Sequence, residues 1–307
     1  MTGRQGAKDA TLAAAGMILI YAMIIGFTDN FVRVIAAEAG LWQFHATRTV
    51  MAIAILVGVA RPLGLRLGAS NGWAVVARSG IHGLAMVIYF GALAFLPVAL
   101  VAAGLFTAPV FVLLIERFAY GTHIGPFRIM AVAIGFAGAV LVLGPEATHA
   151  SGPALLPVLA GALYAMGNIA TRRWCPQESA ETLLAGFFLA LGVAGVIGMV
   201  VLTVAPLSVP AGTAGFLMRG PVWPTEGFWF WTFVQAAGSL LGVGLMVRAY
   251  QVADATRVSV FEYAILPASA IWSWVIWGES LRPLAVVGMG LIVAAGVMIA
   301  LRARAAT

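Results

Sequence analysis

Asp29 and Arg33 stand four residues apart in an otherwise apolar stretch, a spacing that puts both on one face of a helix. Such a pair either neutralises itself as an intrahelical ion pair or forms a gating, substrate-facing pair. His45 and Arg48, three apart, share a face of the next stretch. Arg48 lies roughly 9 Å below the outer end of that helix at the rise of an α-helix. It can extend its charge outward along its aliphatic stem, hold a carboxylate with its planar fork, or pair with Asp29. His82, Met86 and Tyr89 form a third stripe. His82 suits an interhelical hydrogen bond or, lining a cavity, a pH-sensing role. Tyr89, and Tyr164 further along, offer aromatic walls that carry a hydroxyl. Glu262, beside Tyr263, sits about two turns into a later stretch. It either pairs with Arg248 or Arg257 or carries a coupling proton. Ionisable groups in such surroundings are functional candidates by default.

The elements that must position these groups are ten hydrophobic runs that fill the chain. They cover 12–36, 42–60, 73–95, 98–118, 123–143, 153–172, 182–205, 228–249, 255–277 and 283–301. Each is near the roughly 20 apolar residues that a membrane-crossing helix needs. Of the 307 residues, 62% are hydrophobic and 9% charged, against about 25% charged in a soluble domain. Between the runs no stretch is long enough for a separate soluble domain. The first run is too long for the apolar core of a cleaved signal peptide and reads as the first crossing. Of the 17 lysines and arginines, Arg33, Arg219 and Arg282 fall on one side of the membrane, Arg48 lies inside a run, and the other 13 fall on the opposite side. Positive charge concentrates on the cytoplasmic side, so both termini are expected there, which an even number of crossings requires. The net charge of +6 is explained by these border arginines, without nucleic acid as a partner.

Several chemistries find no support. The lone cysteine, Cys175, excludes a disulfide framework and reads as an inert thiol near a membrane surface. Four histidines scattered over different segments make a metal site improbable. No phosphate-cradling GxxxxGK[ST] loop is present, so no ATP motor is encoded here. The longest loop, about 206–227, carries four prolines and is expected to form an ordered cap or a short surface helix.

The chain also repeats weakly. Tyr21-Ala22-Met23 recurs as Tyr164-Ala165-Met166 (164 − 21 = 143), and Pro109 matches Pro267 (267 − 109 = 158). Five helices per half force the halves into opposite orientation, the inverted repeat of many secondary transporters. Gly238 and Gly242, and Gly290 with Ala294, are small pairs of the kind that let membrane helices approach. With Gly167-Asn168 in the sixth run, Gly26 with Asn30 in the first, and Pro267 followed by Gly278-Glu279 before the last, both halves resemble the EamA domain of the drug/metabolite transporter superfamily. In the first half Tyr120-Gly121 stands where Gly-Glu would be, with Glu116 displaced toward Pro109. The resemblance covers about 12–143 and 153–301, and the amino-acid exporter branch is the nearest comparison.

The expectation is therefore an all-α, ten-helix, multi-pass protein of a bacterial inner membrane. Its two inverted repeats carry a small neutral or zwitterionic metabolite, amino acids foremost, by alternating access. Export is what the resemblance implies. Substrate-binding candidates are Arg48, His82, Tyr89, Tyr164, Asn168, Glu262 and Tyr263; gating or coupling candidates are Asp29, Arg33, His45 and Glu262. No cofactor or metal is expected; the partners are the solute and the lipid bilayer, and the chain is a monomer or weak dimer. The rivals are a transporter of a quaternary amine or other organic cation, drawn to aromatic faces, and an intramembrane lipid-modifying enzyme, which no motif supports.

Overall fold

The computed structural model describes residues 2–92, 96, 98–144, 153 and 155–305. Among these, thirteen α-helices follow one another: α1 (Thr2–Asp29), α2 (Val32–Glu38), α3 (Leu41–Leu63), α4 (Gly72–Ala92), α5 (Val98–Leu105), α6 (Ala108–Phe118), α7 (Pro126–Leu143), α8 (Leu155–Arg173), α9 (Ala180–Val204), α10 (Glu226–Val252), α11 (Ala255–Glu262), α12 (Ile265–Trp277) and α13 (Pro283–Ala305). Nine stretches of the described residues are long and apolar enough to cross a membrane. Three of them contain a break, between α1 and α2, α5 and α6, and α11 and α12. Helix α8 is not among the nine; its last two turns hold Asn168, Thr171, Arg172 and Arg173. Pro97, the expected turn between the third and fourth runs, lies outside the described residues.

Each break has a local cause. Pro267 follows the α11–α12 break and Pro109 the α5–α6 break. A proline lacks the N–H for the ladder, and its ring clashes with the carbonyl four residues back, Tyr263 and Leu105 respectively. The α1–α2 break has no proline. There the Asn30 amide donates to the Gly26 carbonyl at 2.7 Å and reaches across to the Ser269 carbonyl at 3.2 Å. Backbone bonds three residues apart then close all three gaps: Phe31 to Thr28 (3.1 Å), Thr107 to Gly104 (3.1 Å) and Leu266 to Tyr263 (3.1 Å). This is 3₁₀ geometry, and it leaves few backbone groups stranded where no water can reach them.

The helices pack in a regular pattern. α7 lies along α13, and α3 along α9. α1 packs against α10 and the α11–α12 pair, while α8 packs against α4 and the α5–α6 pair. The bundle has two chemically distinct ends. One gathers the starts of α1, α7 and α11 with the end of α8, where Asp254 meets Arg257 (3.5 Å), Arg128 (3.7 Å) and Arg172 (3.8 Å). The other is capped by the 206–227 segment, which forms a single 3₁₀ turn, Gly212–Gly215. Arg219 anchors this cap by donating to the carbonyls of Ala36 (2.8 Å), Ala39 (3.1 Å) and Gly212 (2.9 Å).

Glycine sets the closest approach. A Cβ on Gly138 would sit 2.7 Å from the Gly288 carbonyl oxygen, and one on Gly288 2.6 Å from that of Gly138. Gly242 likewise admits Ile25 of α1. The expected pair Gly290 and Ala294 is not an interface: nothing lies within 4 Å of a Cβ on Gly290, and Ala294 is exposed. The contact face of α13 runs instead through Gly288, Ile292 and Ala295. We expect Gly138→Val to destabilise the purified protein by about 1–3 kcal/mol, the usual range for overpacking, and Gly290→Val to leave it within about 0.5 kcal/mol. Thermal unfolding in detergent measures both.

Candidate functional site

A cavity of about 660 Å³ lies at the centre of the bundle. All three helix breaks reach its wall: Asp29 and Val32 flank the first, Leu105 and Ala108 the second, Glu262 and Ile265 the third. Breaks of this kind put irregular backbone where it lines a cavity rather than facing lipid. The cavity extends up to Arg33, Ala36, Phe216 and Leu217 beneath the cap. The groups of the Asp254 cluster are not in its wall.

Most of the wall is apolar or aromatic, with few charged groups. Asp29 accepts a hydrogen bond from the Gln235 amide at 3.0 Å, and Ser239 donates to Gln235 at 3.4 Å. Arg48, 7% exposed, donates to His45 Nδ1 at 3.4 Å. Its guanidinium carbon lies 4.9 Å from the Phe44 ring centre and 5.5 Å from that of Phe188. Such faces attract a cation without neutralising it, and Nε of Arg48 has no hydrogen-bond partner among the described residues. Deeper in, Glu262 accepts from the Asn168 amide at 3.2 Å. The His82 ring stands edge-on to Tyr164, with centres 4.8 Å apart, and to Phe187 at 5.8 Å. A Cβ on Gly167 would come within 2.6 Å of His82 Nδ1. Only glycine therefore lets α8 sit this close to the imidazole.

Of the sequence candidates, Asp29, Arg33, Arg48, His82, Tyr89, Tyr164 and Glu262 line this one cavity. His45 and Asn168 stand behind Arg48 and Glu262, as hydrogen-bond partners. Tyr263 is not in the wall. Its ring packs against Gly135 of α7; as the residue after Glu262 on a right-handed helical backbone it points about 100° away from that neighbour. Asp29 and Arg33 do not pair, because the helix ends between them. Glu262 pairs with neither Arg248 nor Arg257; Arg257 is held by Asp254 and Thr11. Sequence reasoning missed Tyr21 and Arg78 as cavity residues. Arg78 looked like one more border arginine, six residues into its helix; only the packing of α8 and α9 over it shows that it is buried.

Arg33 instead forms a clamp at the capped end. Its guanidinium carbon lies 3.8 Å from the Trp277 ring centre, and Nη1 lies 2.7 Å from Glu279 Oε1. The Ser273 hydroxyl donates to the same carboxylate. That hydroxyl and Arg33 hold the Glu279 carboxyl below the ordinary carboxylate range. A second clamp of the same build sits at the opposite end. There Arg173 lies 4.4 Å over Tyr120 and 2.5 Å from Glu116 Oε2, and the Thr122 hydroxyl donates to Glu116 at 2.6 Å. Ser273, Trp277, Gly278 and Glu279 each stand 157 positions after Glu116, Tyr120, Gly121 and Thr122 (273 − 116, 277 − 120, 278 − 121, 279 − 122). Both glycines take positive φ, 63° and 68°, a turn that favours glycine. Acid and hydroxyl have exchanged places between the clamps. Nearby, burial pushes the Cys175 thiol above its ordinary value, against the opposing pull of Arg78.

Broken helices around a central cavity, in a bundle built for lipid, are the architecture of a multi-pass membrane transporter, and the comparisons with known proteins agree. Residues 12–144 match the EamA-like transporter family. A riboflavin transporter of Rhizobium johnstonii is 26% identical over 270 residues, covering 86% of this chain and 80% of that protein. An S-adenosylmethionine uptake transporter of Rickettsia bellii is 26% identical, covering 66% of each. The pseudopaline exporter CntI of Pseudomonas aeruginosa is 24% identical, covering 92% of this chain and 95% of that protein. A crystal structure superposes with a TM-score of 0.77 at 20% identity, over 96% of this chain and 99% of that one, which establishes the shared fold. These findings point to a membrane transporter rather than an enzyme, with the family match confined to residues 12–144. None of the three relatives is named for amino-acid export.

Gln235 is the only hydrogen-bond donor to the Asp29 carboxylate among the described residues. Gln235→Leu is therefore expected to cost about 1–3 kcal/mol, the desolvation penalty of a stranded buried acceptor. Adding Asp29→Asn should recover part of that loss, a coupling that a double-mutant cycle of thermal unfolding reads directly.

Proposed function

We propose that this chain is a secondary transporter of the bacterial inner membrane that carries a small zwitterionic solute through the central cavity by alternating access. The carrying observation is the meeting of three helix breaks at that one cavity. Ten crossings are assigned by taking α8 as the tenth, with repeats at 12–143 and 153–301 and both termini at the arginine-rich, cytoplasmic end. The packing supports this assignment. Exchanging each crossing with the one five later turns the α1–α10 contact into α8–α4, and the contact of α1 with α11 and α12 into that of α8 with α5 and α6. The two clamps obey the same exchange. One crosslinks the first crossing to the end of the ninth, the other the sixth to the end of the fourth.

The solute fits the wall as a carboxylate at Arg48, an ammonium at Asp29 or Glu262, and an apolar or aromatic body against Tyr89, Tyr164 and His82. Amino acids are the simplest such solutes, and export follows the family resemblance. Glu262 or Asp29 supplies a coupling proton if transport is proton-driven. A second reading favours a bulkier planar solute. The cavity volume of about 660 Å³ lies in the range of pockets that take drug-sized ligands, and the curated relatives include riboflavin transporters.

Counterflow in proteoliposomes, with labelled amino acids, riboflavin and a quaternary amine, tests the reading. Accumulation of an amino acid that Arg48→Gln lowers at least tenfold, with normal expression, is the expected result. Riboflavin alone would favour the second reading, and no exchange of any solute would overturn the transporter assignment. The clamps make a separate prediction. In a Cys175→Ser, Ser239→Cys background, labelling by an impermeant maleimide from outside should rise in Arg33→Gln and fall in Arg173→Gln. Equal labelling in both would remove the clamps from gating.

A further inference from the structure

Arg78 is 1% exposed, yet it lies in no ion pair among the described residues. Its Nε donates to the Thr171 hydroxyl at 3.0 Å and its Nη1 to the Leu183 carbonyl at 3.1 Å. Both acceptors are neutral. Nη2 has no hydrogen bond among the described residues, and Arg78 lines the cavity. One turn along α4, on the same face, His82 is 2% exposed, and neither ring nitrogen is hydrogen-bonded among the described residues. A buried guanidinium is costly unless an anion compensates it, and a buried ring nitrogen without a partner costs more than the hydrogen bond it lacks. Two adjacent groups left short of acceptors at the inner part of a solute cavity mark a place that a ligand completes.

Arg48 does not serve the same place. It sits over Phe188, whereas Arg78 bonds the carbonyl of Leu183, five residues earlier on α9. At the helical rise that is roughly 7–8 Å along the helix axis. Two unpaired guanidiniums thus face the cavity at two depths, and one carboxylate cannot reach both.

We propose that Arg78 and His82 form a second anion subsite, so that the transported solute carries a further oxyanion, carboxylate or phosphate, several bonds from the carboxylate held by Arg48. Arg78 supplies the charge and the N–H groups of its free Nη2, and His82 the additional N–H. This rests on the transporter reading and narrows its solute class to acidic zwitterions.

Ligand-induced stabilisation of the purified protein tests it, with leucine, glutamate and O-phosphoserine as probes. Glutamate or O-phosphoserine should raise Tm more than leucine does. Arg78→Gln should keep the leucine shift and weaken apparent binding of the dianionic probes at least tenfold, while Arg78→Lys, which keeps the charge, retains part of it. Arg78 also ties α4 to α8 and α9, so a lower Tm of the unliganded variant is a structural effect; the difference between probes is what reads the subsite. If Arg78→Gln does not fold, the comparison of probes in Arg78→Lys and wild type decides. Equal shifts for all three probes in the wild type, no shift with any of them, or a dianion advantage that survives loss of the guanidinium, overturns the subsite. Leucine counterflow that persists alongside such a result leaves the transporter reading standing.

Discussion

Backbone amides inside hydrocarbon must find partners within the protein, and the rest of this structure follows from how that demand is met where helices break. An unsatisfied peptide group there costs several kcal/mol. The chain opens its helices at three places and closes each gap with short-range backbone bonds, adding the Asn30 amide where no proline sets the break. Because all three gaps turn toward one another, the irregular backbone is buried in protein around a cavity. The cavity is thus the place where departures from the helix can be tolerated, and polar side chains gather there for the same reason.

Electrostatics inside the bundle separates into two kinds. At the ends, charges pair directly: Arg33 with Glu279, Arg173 with Glu116, and three arginines around Asp254. In the cavity, the hydrogen bonds of Arg48, Arg78, Asp29 and Glu262 among the described residues go to neutral partners. End charges in partial contact with water contribute little each. Their value is geometric, since they hold helix ends from different halves of the chain together. The interior charges cost stability, and among the described residues none of them closes into a direct ion pair.

Much of this was legible in the sequence. Apolar runs near the length of a bilayer crossing fix where helices lie, and ionisable residues inside those runs converged on one cavity. What failed was inference from spacing alone. Asp29 and Arg33 share a face only of a continuous helix, and the break at Asn30 removes that premise. Tyr263 follows Glu262 in sequence, but neighbours on a helix point about 100° apart, and its ring goes to Gly135 of α7 rather than to the cavity. Gly290 and Ala294 have the spacing of a packing motif, while the face of α13 that meets α7 is set by its neighbours and lies elsewhere. Arg78 was hidden by the rule that border arginines face the cytoplasm, since burial depends on α8 and α9, which arrive about a hundred residues later.

Helix α8 carries a consequence for how the chain is made. As the proposed tenth crossing it is the one whose polar end least favours entering lipid unaided. Two of its polar side chains meet groups that the ribosome has already delivered: Thr171 accepts from Arg78, and Arg173 binds Glu116. Asn168 must wait for Glu262, still 94 residues away. On the proposed topology the first five crossings would prepare a polar berth for the sixth, while Arg172 and Asn168 gain Asp254 and Glu262 only from later segments. The contacts of Thr171 and Arg173 would let the first half serve as a partial template for α8, with the remainder supplied from within the second half.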